Sequence, residues 1–446
     1  MNLLMIVEVM EIKMLECFTI FADEIGGRID PHFYRPAFIE LEKKLSKQNH
    51  KPLGEVIEFS SETWNQIDFF DNEFPYIEIS EIDTSTGKIQ NITYYEKKQA
   101  PSRAKMIVRE NDIIVSTTRP HRGAIASIDK TKDGYIASTG FAILRNLKIE
   151  LNKKYLLFML RTQLSLKQML QRSSGGNYPA IPSEELKKII IPLPTLPVQN
   201  KIIKLMEDAY FNNQENETQA NQLLNSINNY VLDELGIKLP ELKDKMCFVV
   251  NYGKIQKGRI DPIRFANPQD TLNSNKFKEK NLNEVASLVK GQSITKENIT
   301  SGEYPVIAGG QSSPYSINVY NYKGNIITVS ASGAYSGYVW YHDKPIFASD
   351  CTVIKSLKES EISTFYLYCV VKAKQQFIYN MQQGAGQPHV YSKDLSKLKI
   401  PLPSLPIQNK LAEEVKKRMQ KAEQLQKEAK EELEKVKQEV ERIILG

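Results

Sequence analysis

The chain has 446 residues, too many for one ordinary core, and its 41% hydrophobic and 25% charged residues are the composition of a folded protein of two or three domains. A net charge of +6 permits nucleic-acid binding without diagnosing it, so the placement of the cations matters more than their total. Glu8, Glu11 and Lys13 interrupt the apolar start, so neither a signal peptide nor a membrane span is expected, and four scattered cysteines (Cys17, Cys247, Cys351, Cys369) without a C-x-x-C pair fit a reducing cytoplasm.

In chain order, the same elements are written twice. The first unit opens on "CFTIFADEIGGRIDP" (17–31), whose Arg-Ile-Asp-Pro reads as a turn with a buried ion pair. "LGEV" (53–56) and "EFPYI" (73–77) follow, then the β-branched runs "IIVSTT", "AIASI" and "FAILRNL", which predict short strands. "KKYLLFMLRTQLSLKQML" (153–170) has apolar residues at helical spacing, and "SEELKKIIIPLP" (183–194) leads into "IPLPTLPVQNK" (191–201). The second unit repeats this as "CFVVNYGKIQKGRIDP" (247–262), "LNEV", "EYPVI", "NIITVSAS", "GYVWYH", "CTVIKS", the helical "STFYLYCVVKAKQQFIYNM" (363–381), "SKDLSKLKIPLP" and "IPLPSLPIQNK" (400–410). The register between copies falls from 231 at "GRIDP" to 230 at "EFP/EYP", 214 at the serine of "IIVS/ITVS" and 209 at the proline phrase. Sixteen of the lost residues therefore fall between Ile77 and Ile113 of the first copy, the pattern of one scaffold carrying two different loop sets.

Three prolines in each proline phrase remove backbone donors and disfavour helix ahead of themselves, so a short extended strut is expected. Gln199/Asn200 and Gln408/Asn409 would then start a helix, with asparagine as its N-cap. The phrase holds no nucleophile, base or metal ligand and reads as a structural joint. Beyond it, Leu411, Val415, Met419, Ala422, Leu425, Ala429, Leu433, Val436, Val440 and Ile443 form a coiled-coil seam. A similar seam runs through Ile202, Met206, Ala209, Ala220, Leu223, Ile227 and Val231, interrupted by the polar "NNQENETQ". Each helix of roughly 30 residues would span about 45 Å. The seams favour the two helices pairing antiparallel, against the alternative of two helices each packed on its own domain. The fold class expected is α/β (α+β), two similar globular units in tandem, each followed by a long helix.

Neither a P-loop nor a G-x-G-x-x-G opening a helix occurs, and the five histidines form no metal-spaced cluster, so no catalytic centre or metal site is expected. Two loop regions carry the chemistry of nucleic-acid binding. The strip 101–122 places Arg103, Lys105, Arg109, Arg119 and Arg122 with His121, and arginine is the commonest reader of guanine edges. Its counterpart "SASGAYSG" (330–337) substitutes Ser332, Tyr335 and Ser336 for Arg119, His121 and Arg122. The second pair, "RSSGGNYPAI" (172–181) and "QQGAGQPHV" (382–390), offers Arg172, Asn177, Tyr178, Gln387 and His389, with amides suited to adenine edges. Gln311 and Ser312, in "YPVIAGGQSS", complete the candidate DNA-binding set. The alternatives are a solvated charged face for the first region and plain glycine-rich connectors for the second.

The two-fold repeat, the "IPLP-x-LP-x-Q" phrase entering each long helix, the "GRIDP" opener and the run "YPVIAGGQ … GYV … FASD" together resemble the DNA-specificity subunits of type I restriction-modification systems. The resemblance implies target-recognition domains over 1–200 and 239–409, each reading half of a split duplex DNA target, and spacer helices over 201–238 and 410–446. It implies docking of two methyltransferase subunits on the helix pair, with S-adenosylmethionine there and ATP/Mg in a translocase-nuclease subunit, and no cofactor or catalysis in this chain. No N-P-P-[FY] occurs here. Base-reading residues do not carry over within such a family. The same recognition subunit in a methylation-only or other phage-defence complex, a protein scaffold without DNA contact and a self-contained nuclease are the rival readings, the last disfavoured because the repeats share no acidic metal-binding set.

Overall fold

The computed structural model describes residues 18–19, 25, 28–65, 70–238, 249, 273–294, 302–313, 315–384 and 386–446. The second "GRIDP" copy, Cys17 and Cys247 lie outside them. The chain divides into two compact units, Met1–Gln214 with Ala429–Gly446, and Glu215–Glu428.

In the first unit α1 (Pro36–Leu45) precedes β1 (His50–Pro52), α2 (Leu53–Val56) and β2 (Ile57–Ser60). Strands β3 (Glu73–Ile77), β4 (Thr93–Glu96), β5 (Ala104–Ile107), β6 (Ile113–Ser116), β7 (Ile125–Ser127), β8 (Ile136–Ser138) and β9 (Phe141–Leu147) follow. They form two four-stranded sheets, β2-β9-β6-β7 and β4-β3-β8-β5. Then come α3 (Lys153–Leu160), α4 (Gln163–Arg172), α5 (Ser183–Leu186), β10 (Ile190–Pro192), which pairs with β1, and the long α6 (Leu196–Glu234).

The second unit restates this with β11 (Glu279–Asn281), α7 (Leu282–Val285), β12 (Ala286–Lys290), β13 (Tyr304–Ile307), β14 (Ser316–Ile317), β15 (Ile326–Ser330), β16 (Val339–His342), β17 (Phe347–Ala348) and β18 (Cys351–Ser356). The sheet β12-β18-β15-β16 answers β2-β9-β6-β7 strand for strand, and a parallel pair recurs as β3·β8 and β13·β17. α8 (Thr364–Ala373), α9 (Gln375–Tyr379), α10 (Ser392–Leu395), β19 (Lys399–Pro401) and α11 (Leu405–Leu445) close the chain. The sixteen-residue excess of the first unit has a structural use: it adds β5, which flanks β8 and has no counterpart in the three-stranded sheet β14-β13-β17.

Each central helical segment breaks in two rather than running on as the apolar spacing predicts. In the first unit Thr162 Oγ1 donates to the Met159 carbonyl (2.7 Å) and closes α3. There the Arg161 guanidinium turns away to the carbonyls of Ile125 (2.7 Å) and Ser85 (2.7 Å). The ion pair expected at the first "GRIDP" is present as Arg28 Nε to Asp30 Oδ2 (2.8 Å), but it is not buried, Asp30 keeping 42% of its side-chain surface.

The proline joint is built identically in the two units. Leu193 N donates to Asn49 O (2.7 Å) and Leu402 N to Lys278 O (2.9 Å), so the strut begins as an extension of a strand pair. The Tyr155 hydroxyl donates to Pro192 O (2.8 Å) and the Tyr366 hydroxyl to Pro401 O (2.9 Å). The long helices start at Leu196 and Leu405, earlier than expected, with Thr195 and Ser404 carbonyls accepting the first helical bonds. Proline is tolerated in a first turn because its missing N–H would have had no intrahelical partner. Asn200 and Asn409 are therefore interior residues and not N-caps. The neighbouring glutamines are buried clamps instead: Gln199 accepts from Asn152 N (3.0 Å) and donates to Pro194 O (2.8 Å). Gln408 accepts from Ser363 N (3.2 Å) and donates to Pro403 O (3.0 Å) and Glu361 O (2.9 Å). Asn152 and Ser363 are the N-caps of α3 and α8, so one side chain ties the joint to the helix beside it.

The seams predicted for α6 and α11 are buried for the most part, with Leu223, Met419, Val436 and Ile443 half-buried, and pair antiparallel. In the second unit Ala220 packs with Ala422 and Leu425, while Ser226, further along α6, accepts from Arg418, earlier in α11 (3.0 Å). In the first unit Ile202, Ile203 and Met206 share a core with Val440 and Ile444, and Asn212 donates to Glu432 (2.9 Å). Among the described residues no helix is long and apolar enough to cross a membrane.

Candidate nucleic-acid interface

The two loop regions picked out separately in the sequence meet in space, once in each unit. In the first, Thr118 bridges Ala180, Ser174 bridges Ala180, and Arg119 N donates to Pro179 O (2.6 Å). In the second, Ser332 bridges His389, Gln383 bridges His389, and Gly333 N donates to Pro388 O (3.0 Å). The partners are related by the same two offsets as the sequence repeat, 214 on the strand side and 209 on the glycine-loop side. The loop after β6 or β15 is thus stitched to the loop before the proline joint.

This bonding corrects one equivalence. Gly333, and not Ser332, occupies the place of Arg119, which puts Tyr335 opposite His121 and Ser336 opposite Arg122.

In the first unit Arg119 stands at the centre of the junction. Its guanidinium lies over the Tyr178 ring (4.1 Å to the centroid) and Nη2 donates to Asn177 O (2.9 Å). Tyr178 is 70% exposed, and Asn177 and Arg122 are exposed. Arg103 joins from the turn just before β5: its carbonyl accepts from Thr139 N (2.8 Å), and the adjacent Gly140 carbonyl accepts from Thr117 N (2.8 Å). Arg103, in that turn, and Lys105, within β5, are both exposed. Burial first, then the Arg122 and Arg119 cations, hold His121 below its usual range, and its buried Nδ1 has no partner among the described residues.

Two arginines of the expected set are committed elsewhere. Arg172 is buried, its guanidinium donating to Glu42 (2.7 Å) and Glu185 (3.4 Å). Arg109 is paired with Glu62, which also holds Arg145 (2.5 Å) beside the buried Asp112. Both are engaged by carboxylates of their own unit, Arg172 in a buried setting and Arg109 with 39% of its side-chain surface exposed.

The second junction is neutral and polar. Tyr335, Gln311, Ser312 and Gln387 are exposed, and Ser332 and His389 half-buried. The 308–312 loop joins it through Ser330 Oγ, which donates to Ala308 O (3.3 Å). Gly309 comes so close that an added Cβ would sit 2.4 Å from the Ser332 carbonyl. Ser336 is fully buried, which removes it from any exposed surface. The sequence reading missed Asp350, whose carboxylate accepts from Ser332 Oγ and has no cationic partner among the described residues. Its signal was present in the repeat, where "ASDC" stands opposite "ASTG" and aligns Asp350 with Thr139.

Four left-handed backbone positions recur in register. Asn111 (φ 66°) pairs with Asn325 (49°), Gly123 (77°) with Gly337 (93°), Gly175 (100°) with Gly384 (103°), and Arg119 (48°) with Gly333 (87°). Arginine there costs roughly 1–2 kcal/mol that glycine would not.

Residues 46–226 and 274–435 match the family model of the type I restriction modification DNA specificity domain. The "Putative type I specificity subunit S.MpnORF507P" of Mycoplasma pneumoniae is 30% identical over 138 residues, 29% of this chain and 37% of that protein. The "Type I restriction enzyme HindI specificity subunit" of Haemophilus influenzae is 26% identical over 168 residues, 36% of this chain and 32% of its own length. The chain thus spans about a third of those two relatives. It covers 86% of the "Putative type I restriction enzyme MjaX specificity subunit" of Methanocaldococcus jannaschii, at 24% identity over 83% of this chain. A chain from a solved structure of type I R-M system assembly and conformational transition shares the fold, with a TM-score of 0.51, 20% identity and coverage of 89% of this chain and 96% of that one. With two matched segments that together make up most of its length, the chain belongs to the type I restriction modification DNA specificity domain family.

Proposed function

We propose that this chain is the specificity subunit of a type I restriction-modification complex, each globular unit reading one half of a bipartite duplex DNA target. The observation that carries this reading is the doubled loop junction: one backbone scaffold, repeated at fixed offsets, presents Arg119, Arg122, Asn177 and Tyr178 in one copy and Ser332, Tyr335, Gln387 and His389 in the other. Arg103, Lys105 and His121 extend the first surface and Gln311 and Ser312 the second, whereas Arg109 and Arg172 are engaged in ion pairs within the first unit and Ser336 is buried. Cationic donors suit guanine edges and phosphates, and amides suit adenine edges, so the halves would differ in sequence. The paired helices set the gap and dock two methyltransferase subunits, which bring S-adenosylmethionine; a translocase-nuclease subunit would bring ATP and Mg. This chain performs no chemistry itself and works in the cytoplasm.

The test is selection from a fully randomised duplex library by the full-length chain assembled with its methyltransferase. The expected product is a consensus of two short conserved blocks separated by a gap of fixed length and free sequence. A single contiguous block, or no enrichment, would reject the reading.

A further inference from the structure

The four duplicated left-handed positions of the recognition units are filled by glycine or asparagine in seven cases out of eight. Glycine meets no steric penalty there, and asparagine tolerates it through local bonding of its short side chain. Arg119 has neither property. It is followed by Pro120, which pushes the residue before it toward extended backbone, whereas Gly333 is followed by Ala334. The other copy of the turn demonstrates that glycine builds it, so what glycine lacks, the guanidinium, is the reason for arginine. An observed backbone outlier of this kind points to function.

The side chain is also held for a task. Stacking on Tyr178 fixes the plane of the guanidinium, and the bond from Nη2 to the Asn177 carbonyl fixes its rotation within that plane. Its Nε and Nη1 hydrogens have no partner among the described residues, and no carboxylate pairs with it, unlike Arg109 and Arg172. A guanidinium aimed by its neighbours, with donors to spare, on a loop tip beside exposed Asn177 and Arg122, matches the paired acceptors O6 and N7 that guanine alone presents in the major groove.

We propose that Arg119 is a specificity-determining residue of the first unit, reading a guanine in its half-site, with Tyr178 as the residue that positions it. This rests on the DNA-reading role proposed above. The experiment uses the full-length chain with its methyltransferase, comparing wild type, Arg119→Gly, Arg119→Lys and Tyr178→Ala by selection from the randomised duplex library and by thermal unfolding. Arg119→Gly is expected to fold with an unchanged or higher Tm, because it restores the residue the other copy uses. It should lose about tenfold or more of the preference for guanine at one position of one block, leaving the other block and the gap unchanged. Arg119→Lys keeps the charge but not the two-pronged donor geometry and should lose the same preference; Tyr178→Ala should weaken it without shifting its position. Retention of full guanine preference by Arg119→Gly, or by Arg119→Lys, overturns the proposal while an intact two-block consensus leaves the DNA-reading role standing. Absence of any two-block consensus with wild type overturns both.

Discussion

Gln199 and Gln408 show how a repeated phrase acquires its meaning from partners that lie far along the chain. Each glutamine is buried and spends both ends of its amide, one on the strut that carries it and one on the N-cap backbone of the neighbouring helix. Truncation to alanine would strand a buried carbonyl and a buried amide, each such loss costing about 1–3 kcal/mol. Gln199→Ala and Gln408→Ala should therefore each lower the denaturation midpoint of their own unit by several degrees, measured by calorimetry, while Asn200→Ala and Asn409→Ala, on the exposed face, should change little. The phrase itself was legible as a joint without chemistry, because three prolines in seven residues admit few other readings. Which residue locks it was not, since an N-cap is inferred from local sequence whereas the clamp depends on Asn152 and Ser363, more than forty residues upstream. The same limit applied to Arg109 and Arg172: a cation in a basic strip or at the edge of a glycine-rich loop gives no sign in sequence that Glu62, or Glu42 and Glu185, will claim it.

The long helices were read from period alone, and the buried positions of α11 follow the predicted seam from Leu411 to Val440. The strands around β6, β7, β9, β15, β16 and β18 were equally plain, being β-branched runs closed by turn residues. The polar middle of α6 interrupts the apolar seam without ending the helix: "NNQENETQ" is helical, and Asn213 occupies the seam between Ala209 and Ala220, buried and with its Oδ1 lacking a partner among the described residues. A polar residue at such a position lowers the stability of a helix pair and fixes its register. Asn213→Leu should raise the midpoint of thermal unfolding, the gain being about 1–3 kcal/mol from removing an unsatisfied buried carbonyl. The accompanying cost is expected in register. Disulfide trapping between cysteines placed at the exposed neighbours Asn212 and Glu432, which bond at 2.9 Å, should give one product in the parent and additional, shifted products in Asn213→Leu. A single product and an unchanged midpoint in the variant would deny Asn213 both effects.

For the molecule as a whole, the division of labour follows from what the repeat keeps and what it changes. The sheet order, the parallel strand pair, the joint and the helix pairing are kept; the junction side chains and the β4–β5 segment are changed. If the units read half-sites and the helices hold the gap, the two properties must be separable by mutation. Seven residues are one near-integral number of helical turns, so inserting a heptad into each long helix, after Gln214 and after Glu428, keeps both seams facing each other and lengthens the pair by about 10 Å. At roughly 3.4 Å of rise per base pair that is a gap about three base pairs longer. The two consensus blocks should be unchanged, because no junction residue lies within or beside either insertion. Methylome sequencing of a strain expressing the lengthened chain with its methyltransferase reads blocks and gap together. An unaltered gap with intact blocks would show that the helices do not act as the ruler; altered blocks would show that the junctions depend on helix length; the expected combination, old blocks at a new distance, assigns specificity to the loops and spacing to the helices.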